Sequence, residues 1–521
     1  MSARDSGQHL NYRNFAGALR AGLNGCEAVA CYMAVMSTAR PLDPAEPLGR
    51  QVRRAVIWRS GSQMVAQLVQ WGATFVVIRL LSPSDYGLFA MTGVVMAFMA
   101  MLNGYGLASG LVRQPDVDAR MIRQLFGMLI LLNGGLALAQ VAIAPLVAAY
   151  YRQPEVARLL RVQALLYITT PFIALPAALL GRAMDFRAQA KANMAAALAG
   201  AVTALLGALV GWGVWTLVAA PAALFSVRAV MMSVAAGTLV RPSFDFRGAG
   251  HLARFGGMMA LGQLFWFLQS QSDVFVAGRT LSPHTLGIYT TALFLTQIFV
   301  SKVIPPLNEV AFAAYARLRD DPAERAAAFA KAVRIVMAAA LPFYLGLAVT
   351  AEPLVLAMLG QKWAEAAPVV RILALAMPLM TMLVLYSPAC DAIGRPDVGV
   401  RNGAEGAAIL TVAFVIGVRW GAAGLAVAWL TAYPFYLALA SRRALPVIGA
   451  RARDLAAAVA PSLSAALGMA GVVAVVGSIL PPLAPVPRLT ILVTLGAASY
   501  AAGLLVVARP LVGELLALAR R

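Results

Sequence analysis

The sequence predicts an all-α polytopic membrane protein of about fourteen transmembrane helices, in two parallel six-helix lobes followed by two further helices. Three observations predict it. The composition is too apolar for a surface covered by water, the apolar runs are each long enough to cross a bilayer, and a motif recurs after 200 residues.

The 521 residues are 61% hydrophobic and 12% charged, with a mean hydropathy of +0.77. A soluble chain carries roughly 25% charged residues, so much of this surface must face lipid. The net charge of +20 comes from 42 Lys and Arg against 22 Asp and Glu. The basic residues fall in short clusters between apolar runs, as in loops held at an anionic leaflet. They form no basic face interleaved with aromatics, which argues against nucleic acid as a partner.

Residues 1–50 are polar and mixed in charge, and are expected to be an N-terminal extension: a disordered tail, or sequence upstream of a true start at Met36. An interrupted apolar stretch and the Arg-rich segment after it disfavour a signal peptide. From Arg50 onward, spans of ~20 apolar residues follow one another with short connections. They are placed near 55–79, 86–112, 124–149, 160–181, 188–210, 215–240 and 255–279, then 286–313, 329–350, 367–390, 398–418, 421–440, 454–480 and 489–508. Pro171, Pro176, Pro305, Pro306 and Pro388 are read as kinks, because neighbours or water can satisfy the freed carbonyls.

The positive charges test this count. With Arg50, Arg53 and Arg54 in the cytoplasm, alternate connections carry Arg120 and Arg123, Arg182 and Arg187, Arg317 and Arg319, and Arg442 and Arg443. The opposite loops are sparse, with Arg79, Arg152, Arg279, Lys362 and Arg419 among their few cations. This asymmetry predicts an even number of spans with both termini in the cytoplasm.

Arg79-Leu-Leu-Ser-Pro-Ser-Asp-Tyr-Gly87 and Arg279-Thr-Leu-Ser-Pro-His-Thr-Leu-Gly287 share Arg, Leu, Ser, Pro and Gly at one offset. Upstream, Gln63 pairs with Gln263 and Phe75 with Phe275. Both copies run in the same direction through the membrane, so the repeat is parallel. It divides the chain into an extension (1–50), a first lobe (51–252), a second lobe (253–445) and a last helix pair with its tail (446–521). Transporters are commonly built from such repeats with the substrate path between them.

A charge at the bilayer centre costs about 2.5–3.5 kcal/mol on insertion scales, so each deep polar residue needs a reason. On the first span Arg59, Gln63, Gln67, Gln70 and Thr74 form one stripe, at ~100° per residue. They read either as a cavity wall for sugar or phosphate, which we prefer, or as polar glue between helices. Arg228 lies about twelve residues, or roughly 18 Å, from the cytoplasmic end of the sixth span, where it meets a carboxylate or waits in a wet cavity for an anion. Lys302 and Glu309 share a face beside Pro305-Pro306, and either neutralise each other or form a proton-sensitive pair. Asp273 shares a face with Gln263, Trp266 and Ser270. It is a candidate for ion coupling or for an ion pair with Arg279. Cys26, Cys31 and Cys390 make no framework, and His9, His251 and His284 have no metal-ligand spacing, so neither a metal nor a cofactor is expected.

Four segments carry a resemblance: Arg79 to Ala90, Asp273 to Tyr289, Leu359-Gly-Gln-Lys-Trp-Ala-Glu-Ala-Ala-Pro368, and Gly421-Ala-Ala-Gly-Leu-Ala-Val-Ala-Trp429. Their order and spacing resemble the polysaccharide-transporter (Wzx-like) branch of the multidrug/oligosaccharidyl-lipid/polysaccharide flippase superfamily. The resemblance implies two lobes around a central cavity and alternating access. It also implies translocation of undecaprenyl-pyrophosphate-linked repeat units across the bacterial inner membrane for capsule, exopolysaccharide or O-antigen assembly. Its expected partners are that lipid-linked oligosaccharide, membrane lipids, and a polysaccharide polymerase with export machinery. A cationic cavity in related flippases is a role that Arg59 and Arg228 fit by chemistry and depth, not by a motif match. The rivals are a multidrug antiporter of the same superfamily and a membrane glycan polymerase or ligase. The first needs deep acids where this chain also has Arg228 and Lys302. The second needs a long external loop with a catalytic constellation, and the sequence offers neither, so no enzyme is expected.

Overall fold

A computed structural model describes residues 65–103, 117–183, 185–237, 240–245, 250–509 and 513, with the side chains of 250–263 left aside. Among the described residues the chain is helical, with fourteen main helices that supply eleven stretches long and apolar enough to cross a membrane. The helices are α1 (Val65–Leu80), α2 (Pro83–Leu102), α3 (Ala119–Tyr151), α4 (Pro154–Arg182), α5 (Phe186–Val210), α6 (Val214–Ala236) and α7 (Gly250–Thr280). The others are α8 (Pro283–Arg317), α9 (Pro322–Val349), α10 (Ala366–Ala392), α11 (Pro396–Gly417), α12 (Gly421–Ile448), α13 (Ala452–Ile479) and α14 (Pro485–Val507). A short helix, Ala351–Met358, and a 3-10 turn, Gln361–Trp363, join α9 to α10. Each span expected from the sequence has its helix, and the chain is a multi-pass membrane protein.

Local chemistry explains the boundaries. The recurring Ser-Pro turns start α2 and α8 in the same way: Ser82 accepts from the Asp85 amide and Ser282 from the Thr285 amide, with proline in the first turn. The proline kinks behave as the sequence suggests. Pro305 and Pro306 lie inside the continuous α8, and Thr170, before Pro171, keeps helical dihedrals (φ −59, ψ −45) where α4 is segmented.

Large apolar side chains point away from the bundle: Leu138 is 74% exposed, Ile479 75% and Val506 79%. Only lipid accommodates that much greasy surface without aggregation. The main core runs through α7 to α12 around Trp363, Tyr289, Tyr344, Tyr433, Phe329 and Phe414, all fully buried. In the first half, the alanine-rich α5 and α6 pack closely on each other, and smaller clusters replace one large core.

Some cations expected as loop charges also do structural work. Arg325 is buried, donating Nε to the Ile448 carbonyl (3.1 Å) and Nη1 to that of Arg319 (2.6 Å), so it caps the end of α12. Arg443 clamps α12 to α11 through both oxygens of Glu405 and through Asn402. At the other end of that hairpin Gly417 and Gly424 meet backbone to backbone, and a Cβ on either would overlap the other's carbonyl oxygen. Gly424→Val is therefore expected to destabilise by at least the ~1–3 kcal/mol typical of overpacking. A melting temperature of the detergent-solubilised variant equal to wild type would show that the hairpin opens freely.

Candidate functional site: a polar seam between the two repeats

The ends of the bundle that carry the Ser-Pro turns lie together, because α2 of the first repeat packs along α8 of the second. We refer to that end as the turn face. Below it, α1 and α8 bring together side chains 235 residues apart: the Lys302 ammonium donates to the Gln67 Oε1 at 3.3 Å. Gln67 lies thirteen residues below Leu80 on α1, about 20 Å along the helix. Lys302 sits near the middle of the 35-residue α8. Gln70 and Thr74 continue the stripe toward the turn face, and all three α1 side chains are half-buried. The stripe thus has a cationic counterpart on the facing repeat. Arg59 and Gln63, its other members, lie outside the described residues.

Lys302 and Glu309 do not neutralise each other; no ion pair joins them. Seven residues rise about 10.5 Å along a helix, and Pro305-Pro306 stand between them, so both ends are held apart. Glu309 is exposed and bonds to no described residue. Beside it, Asn308 donates to the Val384 carbonyl (3.3 Å) and ties α8 to α10.

Asp273 is fully buried on α7. Its Oδ2 accepts from the Tyr289 hydroxyl at 2.7 Å, and that hydroxyl accepts from the Trp429 indole, also at 2.7 Å. Trp429 stacks on Tyr433, with centroids 5.3 Å apart and planes 12° from parallel. The three bonded groups come from α7, α8 and α12 and lie six to eight residues below the turn-face ends of those helices. Arg279 is not the partner of Asp273. It donates instead to the Tyr150 carbonyl at 2.8 Å and covers the Tyr150 ring at 4.9 Å. Six residues along one helix turn Arg279 about 120° away from Asp273, at ~100° per residue.

Arg228 is half-buried on α6, and its Nε is buried with no hydrogen-bond partner among the described residues. It is shallower than the sequence suggests. α6 ends at Ala236 because Gly237 takes the left-handed conformation (φ 61) that caps it, so Arg228 stands eight residues, ~12 Å, from the helix end.

Sequence reasoning passed over Lys331 and Arg334. The sequence places the ninth span from 329, but α9 starts at Pro322, with Asp321 accepting from the amides of Ala323 and Glu324. Arg334 therefore sits about 18 Å inside the helix. The Asp-Pro N-cap signal was the clue. Among the described residues no group of His, Cys, Asp and Glu is placed to hold a metal ion.

Comparison with known proteins fits this architecture. The chain is 28% identical over 359 residues to the succinoglycan biosynthesis transport protein ExoT of Rhizobium meliloti (strain 1021), covering 68% of this chain and 71% of that one. It is 22% identical over 371 residues to the lipopolysaccharide biosynthesis protein WzxC of Escherichia coli (strain K12), covering 68% and 73%. Over 408 residues it is 22% identical to the teichuronic acid biosynthesis protein TuaB of Bacillus subtilis (strain 168), covering 75% and 84%. Among solved structures, the lipid II flippase MurJ in an inward closed conformation superposes with a TM-score of 0.69 at 12% identity, covering 88% of this chain and 100% of that one. An inward-facing multidrug resistance MATE family transporter of the MOP superfamily gives 0.58 at 16% identity, covering 75% and 98%. At such identities the likeness speaks for the fold. A family model described as polysaccharide biosynthesis protein matches residues 76–368, more than half of the sequence, and the chain belongs to that family.

Proposed function

We propose that this protein is a flippase that moves undecaprenyl-pyrophosphate-linked oligosaccharide units from the cytoplasmic to the outer side of the bacterial inner membrane. The observation that carries the reading is the seam between the repeats. It sets the Lys302 ammonium against the amide of Gln67, on the same helix stripe as Gln70 and Thr74, in the middle of a largely apolar bundle. A diphosphate needs cations, sugars need amides and hydroxyls, and the prenyl chain needs lipid; the seam and its surroundings supply all three.

In this reading residues 51–252 and 253–445 act as two lobes that rock about the seam, with 446–521 as an added helix pair. The arginine-rich connections and both termini face the cytoplasm, and the turn face looks outward. Lys302, Arg228 and Arg59 neutralise phosphate charge, while Gln63, Gln67, Gln70 and Thr74 bond the sugars. Asp273 and Glu309 are the carboxylates available to couple rocking to an ion gradient; neither is held by a described cation. Polymerase and export machinery would receive the flipped units. A cation in the seam disfavours cationic drugs as cargo.

The test is to label lipid-linked oligosaccharide on each side of the inner membrane in cells lacking the protein. Rescue uses wild type, Arg228→Ala and Gln67→Ala, each at matched membrane abundance. Cytoplasmic accumulation cleared by wild type and at least about fivefold more slowly by Gln67→Ala is the expected result. Units that reach the outer side without the protein but stay unpolymerised would overturn the reading.

A further inference from the structure

The recurring motif contains an arginine, a Ser-Pro turn and a glycine, and the structure gives each a partner from the other repeat. Arg79 donates Nη1 to the carbonyl of Ala357 (3.4 Å), the penultimate residue of the short helix Ala351–Met358. Arg279 donates Nη1 to the carbonyl of Tyr150 (2.8 Å), the penultimate residue of α3. Each guanidinium therefore sits on the negative end of a helix belonging to the opposite repeat. The glycines are reciprocal as well. A Cβ on Gly87 would overlap the Pro283 carbonyl oxygen, and one on Gly287 the Pro83 carbonyl oxygen. Here α2 and α8 touch backbone to backbone, a contact that only glycine permits.

The segment around Trp363 adds a third point of closure. The buried indole donates to the Ile78 carbonyl at 2.9 Å and packs edge-on against Tyr86, and Lys362 donates to the Leu80 carbonyl at 3.3 Å. These are the last carbonyls of α1. All of these contacts lie on the turn face, above the Gln67–Lys302 seam. They have to break if that face opens.

We propose that Arg79 and Arg279 are paired latch residues: each holds the turn face shut by capping a helix of the other repeat, and the face opens only when both let go. Both caps stabilise the same closed face, so their losses compound. The glycine crossing sets how closely the latch can shut, and is the reason the arginines reach.

The test reads accessibility and needs no cargo, so its failure and that of the flippase reading are distinguishable. In full-length protein with Cys26, Cys31 and Cys390 replaced by alanine, Thr74→Cys is the reporter, six residues below Leu80. A sulfonated, membrane-impermeant maleimide is applied to right-side-out and to inside-out vesicles, which identifies the side that reaches the turn face. From that side, Arg79→Gln with Arg279→Gln is expected to label at least about fivefold faster than the parent, and each single variant about twofold faster. Gly87→Val, which obstructs closure without touching either arginine, is expected to label as fast as the double variant. If the double variant does not accumulate in the membrane, the single variants decide. Labelling within about 1.3-fold of the parent in both single variants, or in the double variant, overturns the latch and leaves the arginines as local helix caps.

Discussion

Lys302→Ala is expected to lower the rate of cargo translocation by about tenfold to a hundredfold while leaving the protein folded, since one charge-assisted hydrogen bond is worth ~1.5–3 kcal/mol. The side chain is exposed and its one described bond is to Gln67, so removing it leaves no buried donor stranded. What is lost is the cation that the second repeat offers to the seam. Lys302→Arg should keep most of the rate, because charge and reach remain. Lys302→Glu should fall below the alanine variant, because it repels a diphosphate. The measurement is the clearance of cytoplasmic lipid-linked oligosaccharide, against melting temperature in detergent as the folding control. Equal rates for the alanine and glutamate variants would mean that Lys302 meets no anion, and the seam would then be a packing feature.

Asp273→Ala is expected to be the most destabilising single change at a polar position. It strands the buried Tyr289 hydroxyl, to which Trp429 already donates, and removes the link between α7, α8 and α12. A buried group left without its partner costs about 1–3 kcal/mol, and the cavity adds to it. Asp273→Asn separates architecture from coupling. The amide oxygen still accepts from Tyr289, while the Val274 amide, which donates to the other carboxylate oxygen at 2.7 Å, loses that acceptor, so the melting temperature should fall less than in the alanine variant. It cannot ionise, so any dependence of translocation on the proton gradient that runs through this residue disappears. An asparagine variant that melts as low as alanine would show that the bond from the Val274 amide, not the one from the Tyr289 hydroxyl, holds Asp273 in place. One that melts and responds to the gradient like wild type would exclude Asp273 from coupling and leave Glu309 as the candidate.

The seam was half legible. The stripe on the first span could be read because the helical period places Gln67, Gln70 and Thr74 on one side of a single element, and period is a local property. Its counterpart was not, since nothing in the neighbourhood of Lys302 marks Gln67 as its partner. The sequence offered Glu309 instead, the nearest charge along the same helix. Asp273 went the same way: Arg279 was the nearest opposite charge in the chain, whereas the bonded partner is a neutral hydroxyl on the next helix, itself held by an indole from α12. Arg228 was misplaced in depth and Arg334 passed over for a simpler reason. Apolar runs locate a span to within a few residues, but a helix stops or starts at its caps, Gly237 in one case and Asp321 with Pro322 in the other.

The sequence by itself determined that this chain crosses the membrane repeatedly, about where each crossing falls, and that two stretches 200 residues apart have the same local structure. Those properties follow from apolar length, turn chemistry and helical period, which act within one or two turns of a residue. Only the tertiary structure decided that the two copies of the motif close on each other, that Lys302 answers Gln67, and that Asp273 belongs to Tyr289 and Trp429. Such choices depend on which helices become neighbours. In a bundle whose helices are nearly all apolar, neighbours are selected by close packing at small residues and by a few polar side chains that need partners, spread over the whole length of the chain.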